Sequence, residues 1–167
     1  MHQYRLRQKF FALGDDYTIT GDDGEEIFRV DGRVFSWGDK LSFQDAKSGD
    51  ELAFISQKLL TMRPKYELYR EGELFAEVTK EFSWFKTVFS LDVPGPNDYE
   101  IVGDFWDREY DFKREDRIVA RVSRKAWSLT DSYGVEVVED EDDVTILATA
   151  VIVDLVCHDN ESERKGD

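Results

Sequence analysis

The chain has one cysteine, two histidines and three prolines, and no apolar run long enough to cross a bilayer as a helix. Each scarcity excludes something. A lone cysteine, Cys157, permits no internal disulfide, so stability must come from a packed core. One cysteine with His2 and His158 makes a poor zinc site, and no metal centre is expected. A phosphate-cradling glycine-rich loop and a Ser-His-Asp arrangement are both missing, so no catalytic residue and no cofactor is assigned, and the chain reads as a non-enzyme. The opening MHQYRLRQKFF lacks the apolar stretch of a secretory signal, which makes a cytoplasmic location the expectation. Positive charge is scarce too. The 22 Lys and Arg stand against 37 Asp and Glu, for a formal net charge of -15. Such a surface repels polyanions, so no nucleic-acid partner and no stable membrane insertion are expected.

What is present suffices for one globular domain. There are 167 residues, 14% of them aromatic, which is long enough to bury a core. The acidic residues are spread along the chain, in Asp15 and Asp16, Asp22 and Asp23, Asp140 to Asp143 and many single sites. Dense counterions would screen the resulting self-repulsion, so the acidity points to a halophilic host.

The stretch VTILATAVIVDLVC at residues 144–157 is apolar on every side. A surface helix carries one apolar stripe, and this segment has no wet face. At ~1.5 Å per residue it spans roughly 21 Å, short of the ~30 Å hydrocarbon core of a bilayer. A helix enclosed by protein, over about residues 143–158, is therefore expected. The acidic residues Glu139 to Asp143 precede it, where carboxylates complement the helix dipole and Asp142 or Asp143 can cap it.

Before that helix, short β-like runs alternate with turn signals. They form a weak repeat: GEEIFRV from Gly24, GDELAFI from Gly49, GELFAEV from Gly72 and DRIVARV from Asp116, with Gly95 where another unit would begin. The spacing fits one strand-turn-strand unit. Strands are expected near 3–13, 16–20, 26–31, 40–45, 52–60, 65–70, 74–81, 86–93, 98–103, 108–114, 117–125 and 132–138. Alternation places Leu74, Ala76 and Val78 on one face and Phe75, Glu77 and Thr79 on the other. In the same way Ile118, Ala120 and Val122 oppose Val119, Arg121 and Ser123. Three units carry a small residue at one position, Ala53, Ala76 and Ala120, which either admits the backbone of another element or fills a taper. So long an antiparallel sheet is expected to close. The fold class is then all-β with one central helix, a closed twelve-stranded antiparallel β-barrel around a C-terminal hydrophobic helix.

Several segments resemble the LURP-one-related family. YRLRQKFFALGDDYTI at 4–19 looks like that family's first hairpin; GDKLSFQD at 38–45 and ISQKLL at 55–60 resemble its middle signatures. ARVSRK at 120–125, DSYGVEV at 131–137 and the closing residues 146–154 follow in order. The resemblance implies a tubby C-terminal-like fold, also seen in phospholipid scramblases, as a single domain over residues 1–159 with a polar tail at 160–167. It supplies a fold and no activity. The expected role is a non-enzymatic cytoplasmic binding or scaffold module. The alternative by analogy with tubby and the scramblases is phosphoinositide or phospholipid head-group binding at a membrane surface.

Three windows carry local positive charge: Arg5, Arg7 and Lys9; Lys58, Arg63 and Lys65; and Arg121, Arg124 and Lys125. Converging on a barrel, they would bind a phosphate-bearing ligand such as an anionic lipid head group. Lys58, Arg63 and Lys65 form the candidate ligand-binding set, because Met62 and Pro64 signal a turn beside them. The competing reading pairs these cations with carboxylates across strands. Asp154 interrupts the apolar helix, where an unpaired carboxylate is expensive, so a basic or hydroxyl partner is expected unless it emerges near the helix end. Cys157 reads as a packing residue. Asp22, Asp23, Glu25 and Glu26 miss the EF-hand pattern and read as turn chemistry. Trp37, Trp84, Trp106 and Trp127 read as core or rim packing.

Overall fold

The fold was taken from a computed structural model that describes residues 1–11, 14–32, 38–82, 85–96, 98–124 and 132–158. Twelve strands precede one helix. They are β1 (His2–Phe11), β2 (Gly14–Thr20), β3 (Glu26–Gly32), β4 (Lys40–Asp45), β5 (Glu51–Lys58), β6 (Lys65–Arg70), β7 (Glu73–Phe82), β8 (Thr87–Asp92), β9 (Tyr99–Asp104), β10 (Glu109–Arg114), β11 (Arg117–Ser123) and β12 (Ser132–Val137), followed by α1 (Asp143–His158). Each strand pairs antiparallel with its neighbours in the chain, and β12 closes onto β1 with Tyr4 opposite Val135. An up-and-down barrel results, which leaves no unpaired sheet edge. Strand count and helix limits agree with the sequence reading. The fifth strand stops short of residue 60, since Leu60 turns to a left-handed φ of 61° that no strand can continue. The expected tail at 160–167 lies outside the described residues, as do Trp37, Trp84 and Trp127.

The repeat has a structural cause. In each of its four units the register slips once, just after the turn: between β2 and β3, β4 and β5, β6 and β7, and β10 and β11. Ile27, Leu52, Phe75 and Val119 are the residues passed over. Three of them, Ile27, Leu52 and Phe75, are partly buried against the core, and Val119 belongs to it. An extra residue in one strand reverses the facing of what precedes it. Simple alternation therefore fails at these points. Leu74 is 50% exposed and Ile118 45% exposed, while Phe75 and Val119 turn toward the core. Beyond each slip the expected inward set resumes, with Ala53, Ala76 and Ala120 each 3% exposed. The helix comes close to β5 and β12.

Residues Thr145 to Leu155 of α1 are buried without interruption. Wall residues such as Leu6, Ile19, Phe43, Ile55, Phe89 and Phe112 join Ile146, Leu147, Val151 and Ile152 of the helix in one hydrophobic cluster. A helix covered on every face, with nothing but a closed barrel beside it among the described residues, has that barrel for its cover. Each apolar side chain so buried contributes ~1.5–3 kcal/mol before conformational entropy is subtracted.

An up-and-down barrel sorts its connections into two sets. The β2–β3, β4–β5, β6–β7, β8–β9 and β10–β11 connections meet the helix N-terminus at one end. They and the 138–142 approach carry Asp22, Asp23, Glu25, Asp50, Glu71, Asp98, Glu115, Asp116 and four consecutive acids from Glu139, with Lys47 the single cation. About a third of the evenly spaced acid, 12 of 37 Asp and Glu, is thus gathered at one end of the molecule. The β5–β6 and β9–β10 connections lie at the opposite end, with the helix C-terminus.

Candidate functional site

The polar groups of the barrel interior gather at the two ends of α1. Toward its C-terminus Asp154, 4% exposed, accepts a hydrogen bond from Arg108 Nε at 2.6 Å and one from the Tyr17 hydroxyl at 2.7 Å. Arg108 reaches it from the β9–β10 connection, where its φ of 54° turns the chain, and its guanidinium carbon lies 5.3 Å from the Tyr133 ring centroid. Burial opposes the Arg108 charge, and Asp154 outweighs that, holding the guanidinium above its usual pKa. Burial first, and then the Asp154 charge, push the phenols of Tyr110 and Tyr133 well up. One turn on, His158 Nε2 lies 3.2 Å from the Phe105 carbonyl oxygen and its ring packs edge-on to Trp106. Burial pushes the Cys157 thiol up to about 11, so it is neither a ready nucleophile nor a ready metal ligand.

At the other end the acidic run 139–143 meets cations and phenols from four strands. Asp142 caps the helix through the Thr145 amide at 3.3 Å and hydroxyl at 3.1 Å, and its other partner is Arg70, 2.6 Å away at the end of β6. Arg114 of β10 lies 3.2 Å from Glu141, which also accepts from the Tyr99 hydroxyl. Asp143 accepts from the Tyr4 hydroxyl and lies 2.7 Å from His2 Nδ1, while the terminal ammonium meets Glu139 at 3.1 Å. Burial, followed by the carboxylates beside them, raises the pKa values of Tyr4 and Tyr99. A cavity of about 200 Å3 opens beside this clamp. Phe75, Val93, Pro94 and Tyr99 form its apolar side, and Arg114, Glu141, Asp142 and Thr145 its polar side.

A comparison with known families supplies the lineage. Residues 2–154 match the family described as LURP-one-related. The chain belongs to the LURP-one-related family. Among its curated relatives is the "Uncharacterized protein YxjI" of Bacillus subtilis (strain 168), 36% identical over 158 residues that cover 95% of each chain. That name attaches no activity to the LURP-one-related barrel, so its residues must be read on their own chemistry.

The structure distributes the sequence-derived candidates around the LURP-one-related barrel. Lys58 ends β5 directly opposite Lys65, the first residue of β6. Arg63 stands on the turn between them and pairs with Glu81, and Lys65 pairs with Glu77 at 3.3 Å. Arg5 and Arg7 lie on β1, opposite Gly134 and Ser132; Arg121 of β11 bonds Asp111 at 2.8 Å. Strands β1 and β11 flank β12, so the first and third windows are neighbours, whereas β5 and β6 lie across the barrel from both. Lys125 and the Lys9 side chain lie outside the described residues. Asp23 accepts from the Glu25 amide at 3.0 Å, which is turn chemistry. Among the described residues no His, Cys, Asp and Glu side chains are grouped as a metal site would need.

Sequence reasoning left Asp154 either emerging near the helix end or meeting a basic or hydroxyl partner, and the fold supplies one partner of each kind. It did not single out Tyr17 and Arg108, which stand 137 and 46 residues away. Nor did it single out Arg70, Arg114, Tyr4 and Tyr99, the groups that anchor the acidic clamp. A phenol or an arginine near a strand end was the available signal, and many residues of this chain share it.

Proposed function

We propose that this LURP-one-related protein is a non-enzymatic cytoplasmic binding or scaffold module that makes its contacts at the barrel ends and on the outer wall. The single observation that supports this reading is the commitment of the interior. From Thr145 to Leu155 the helix is buried without interruption, and Asp154, the charge on that stretch, is engaged by Arg108 and Tyr17. A lumen filled in this way is given over to packing, unlike the open lumen of a ligand-carrying barrel. The protein isolated from its own host, examined intact by native mass spectrometry, should carry a bound ligand or partner. Turnover by the purified protein in a hydrolase and transferase screen would contradict the reading.

A second reading has its own support. Lys58 and Lys65 stand directly opposite on neighbouring strands with Arg63 on their turn, and like charges so placed are destabilising unless an anion lies between them. Glu77 and Glu81 answer Lys65 and Arg63 from one side, and Lys58 is exposed at the strand end. These three residues form a site for a phosphate-bearing head group. Titration with soluble inositol trisphosphate should saturate, and K58E should weaken it. Linear, unsaturable binding would remove this reading.

A further inference from the structure

Around the helix C-terminus the connections present apolar side chains to solvent. Leu60 and Met62, between β5 and β6, and Phe85, between β7 and β8, are all at least 99% exposed, with Phe82 beside them at 66%. These two connections are tied together. The Lys80 amide donates to the Pro64 carbonyl at 3.0 Å, and Arg63 pairs with Glu81. Trp106, on the β9–β10 connection of the same end, is exposed as well. Scattered exposed apolar residues are ordinary, but several large ones sharing one end of a barrel are not.

The charge of this region runs against that of the molecule. Residues 58–65 and 80–86 hold Lys58, Arg63, Lys65, Lys80 and Lys86 against Glu81, and with Glu77, the partner of Lys65, that is five cations less two carboxylates, a net +3 in a chain of -15. The opposite end gathers the acidic turns. The molecule is therefore polarised, with a basic, apolar-tipped region on the β5–β6 and β7–β8 connections and an acidic end opposite it.

We propose that the basic end docks on an anionic phospholipid bilayer, with Leu60, Met62 and Phe85 entering the interfacial zone while the surrounding lysines meet lipid phosphates. The shape of the apolar surface favours a bilayer over a protein. Side chains standing clear on separate connections are protrusions, and a fluid interface yields around protrusions without a matching pocket. Its negative surface potential complements the basic rim, and docking by this end holds the acidic end away from the anionic surface. The inference rests on the head-group reading for its electrostatic part and adds the apolar part.

The test is co-sedimentation of the full chain at low ionic strength with vesicles of phosphatidylcholine, alone or mixed with phosphatidylserine. The protein should pellet with the mixed vesicles, less so as salt rises. The triple variant L60S/M62S/F85S should bind roughly tenfold or more weakly, while the control L74S/I118S, whose exposed residues lie at the acidic end, should bind as the native chain does. Absence of native binding, or equal binding by the triple variant, overturns the proposal. So does a triple variant that converts an oligomer to a monomer without changing vesicle binding, since the face would then join copies of this chain. Saturable inositol trisphosphate binding that survives in the triple variant, with no vesicle binding by the native chain, would leave the head-group reading standing and remove the docking face.

Discussion

Arg108 Nε lies 2.6 Å from Asp154 Oδ1, linking the β9–β10 connection to the last turns of the buried helix. The pair is nearly enclosed, with side chains 18% and 3% exposed, and Tyr17 satisfies the second carboxylate oxygen. A charge in this position is tolerable only with its partner, so the pair fixes how deeply the helix sits.

Removal of either partner should be costly. D154N and R108M are each expected to lower unfolding stability by about 3–5 kcal/mol, because each strands a buried charge or its counter-group. The double variant D154L/R108M should lose clearly less than the sum of its parts. Chemical denaturation of the four proteins measures this. Strict additivity would show that the two side chains do not share a site.

Two tyrosines near this pair should respond in opposite ways. Tyr17 donates to Asp154 at 2.7 Å, so Y17F should cost about 1.5–3 kcal/mol as a hydrogen bond to a charged group is lost. The Tyr133 hydroxyl is buried with no hydrogen-bond partner among the described residues. Y133F keeps the ring facing Arg108 and removes that unsatisfied group, so it should be neutral or stabilising. Thermal melts of both variants decide it.

The acidic end makes stability depend on salt. Turns from every second connection, together with the 139–142 run, bring like charges together, and screening relieves their repulsion. The melting temperature should rise as sodium chloride is added, the behaviour that a salt-rich host would favour. Equal melting temperatures at low and high salt would oppose that origin.

Alkaline pH should weaken the fold in a defined window. Burial raises the Cys157 thiol from an ordinary value near 9 to about 11. The unfolded chain therefore releases this proton first, so the stability is whole below pH 9 and falls as pH climbs toward about 11. Tyr110 and Tyr133, raised well above 10 by burial, extend the decline in the same direction. Denaturation midpoints of native and C157A protein at about pH 8 and about pH 10.5 should show a shallower fall in the variant. Parallel falls would exclude the cysteine contribution.

The helix was legible in the sequence because its apolarity leaves no wet face, and its limits follow from the acidic cap before it. Strands were legible from their turns, with twelve expected and twelve found. What the pattern concealed was the facing of Leu74 against Phe75 and of Ile118 against Val119. A single passed-over residue reverses a strand's sides without altering its composition. The partners of Asp154 were concealed for a different reason, since Tyr17 and Arg108 meet it only through barrel closure. The charge pattern of the two ends was hidden because evenly spaced acids gather only once alternate turns share one end.

Amide hydrogen exchange along 145–155 tests the central claim that the barrel sheathes the apolar helix. The account predicts that these amides exchange only through global unfolding, as slowly as the most protected wall strands. Exchange of the helix ahead of those strands, with the barrel still folded, would contradict it.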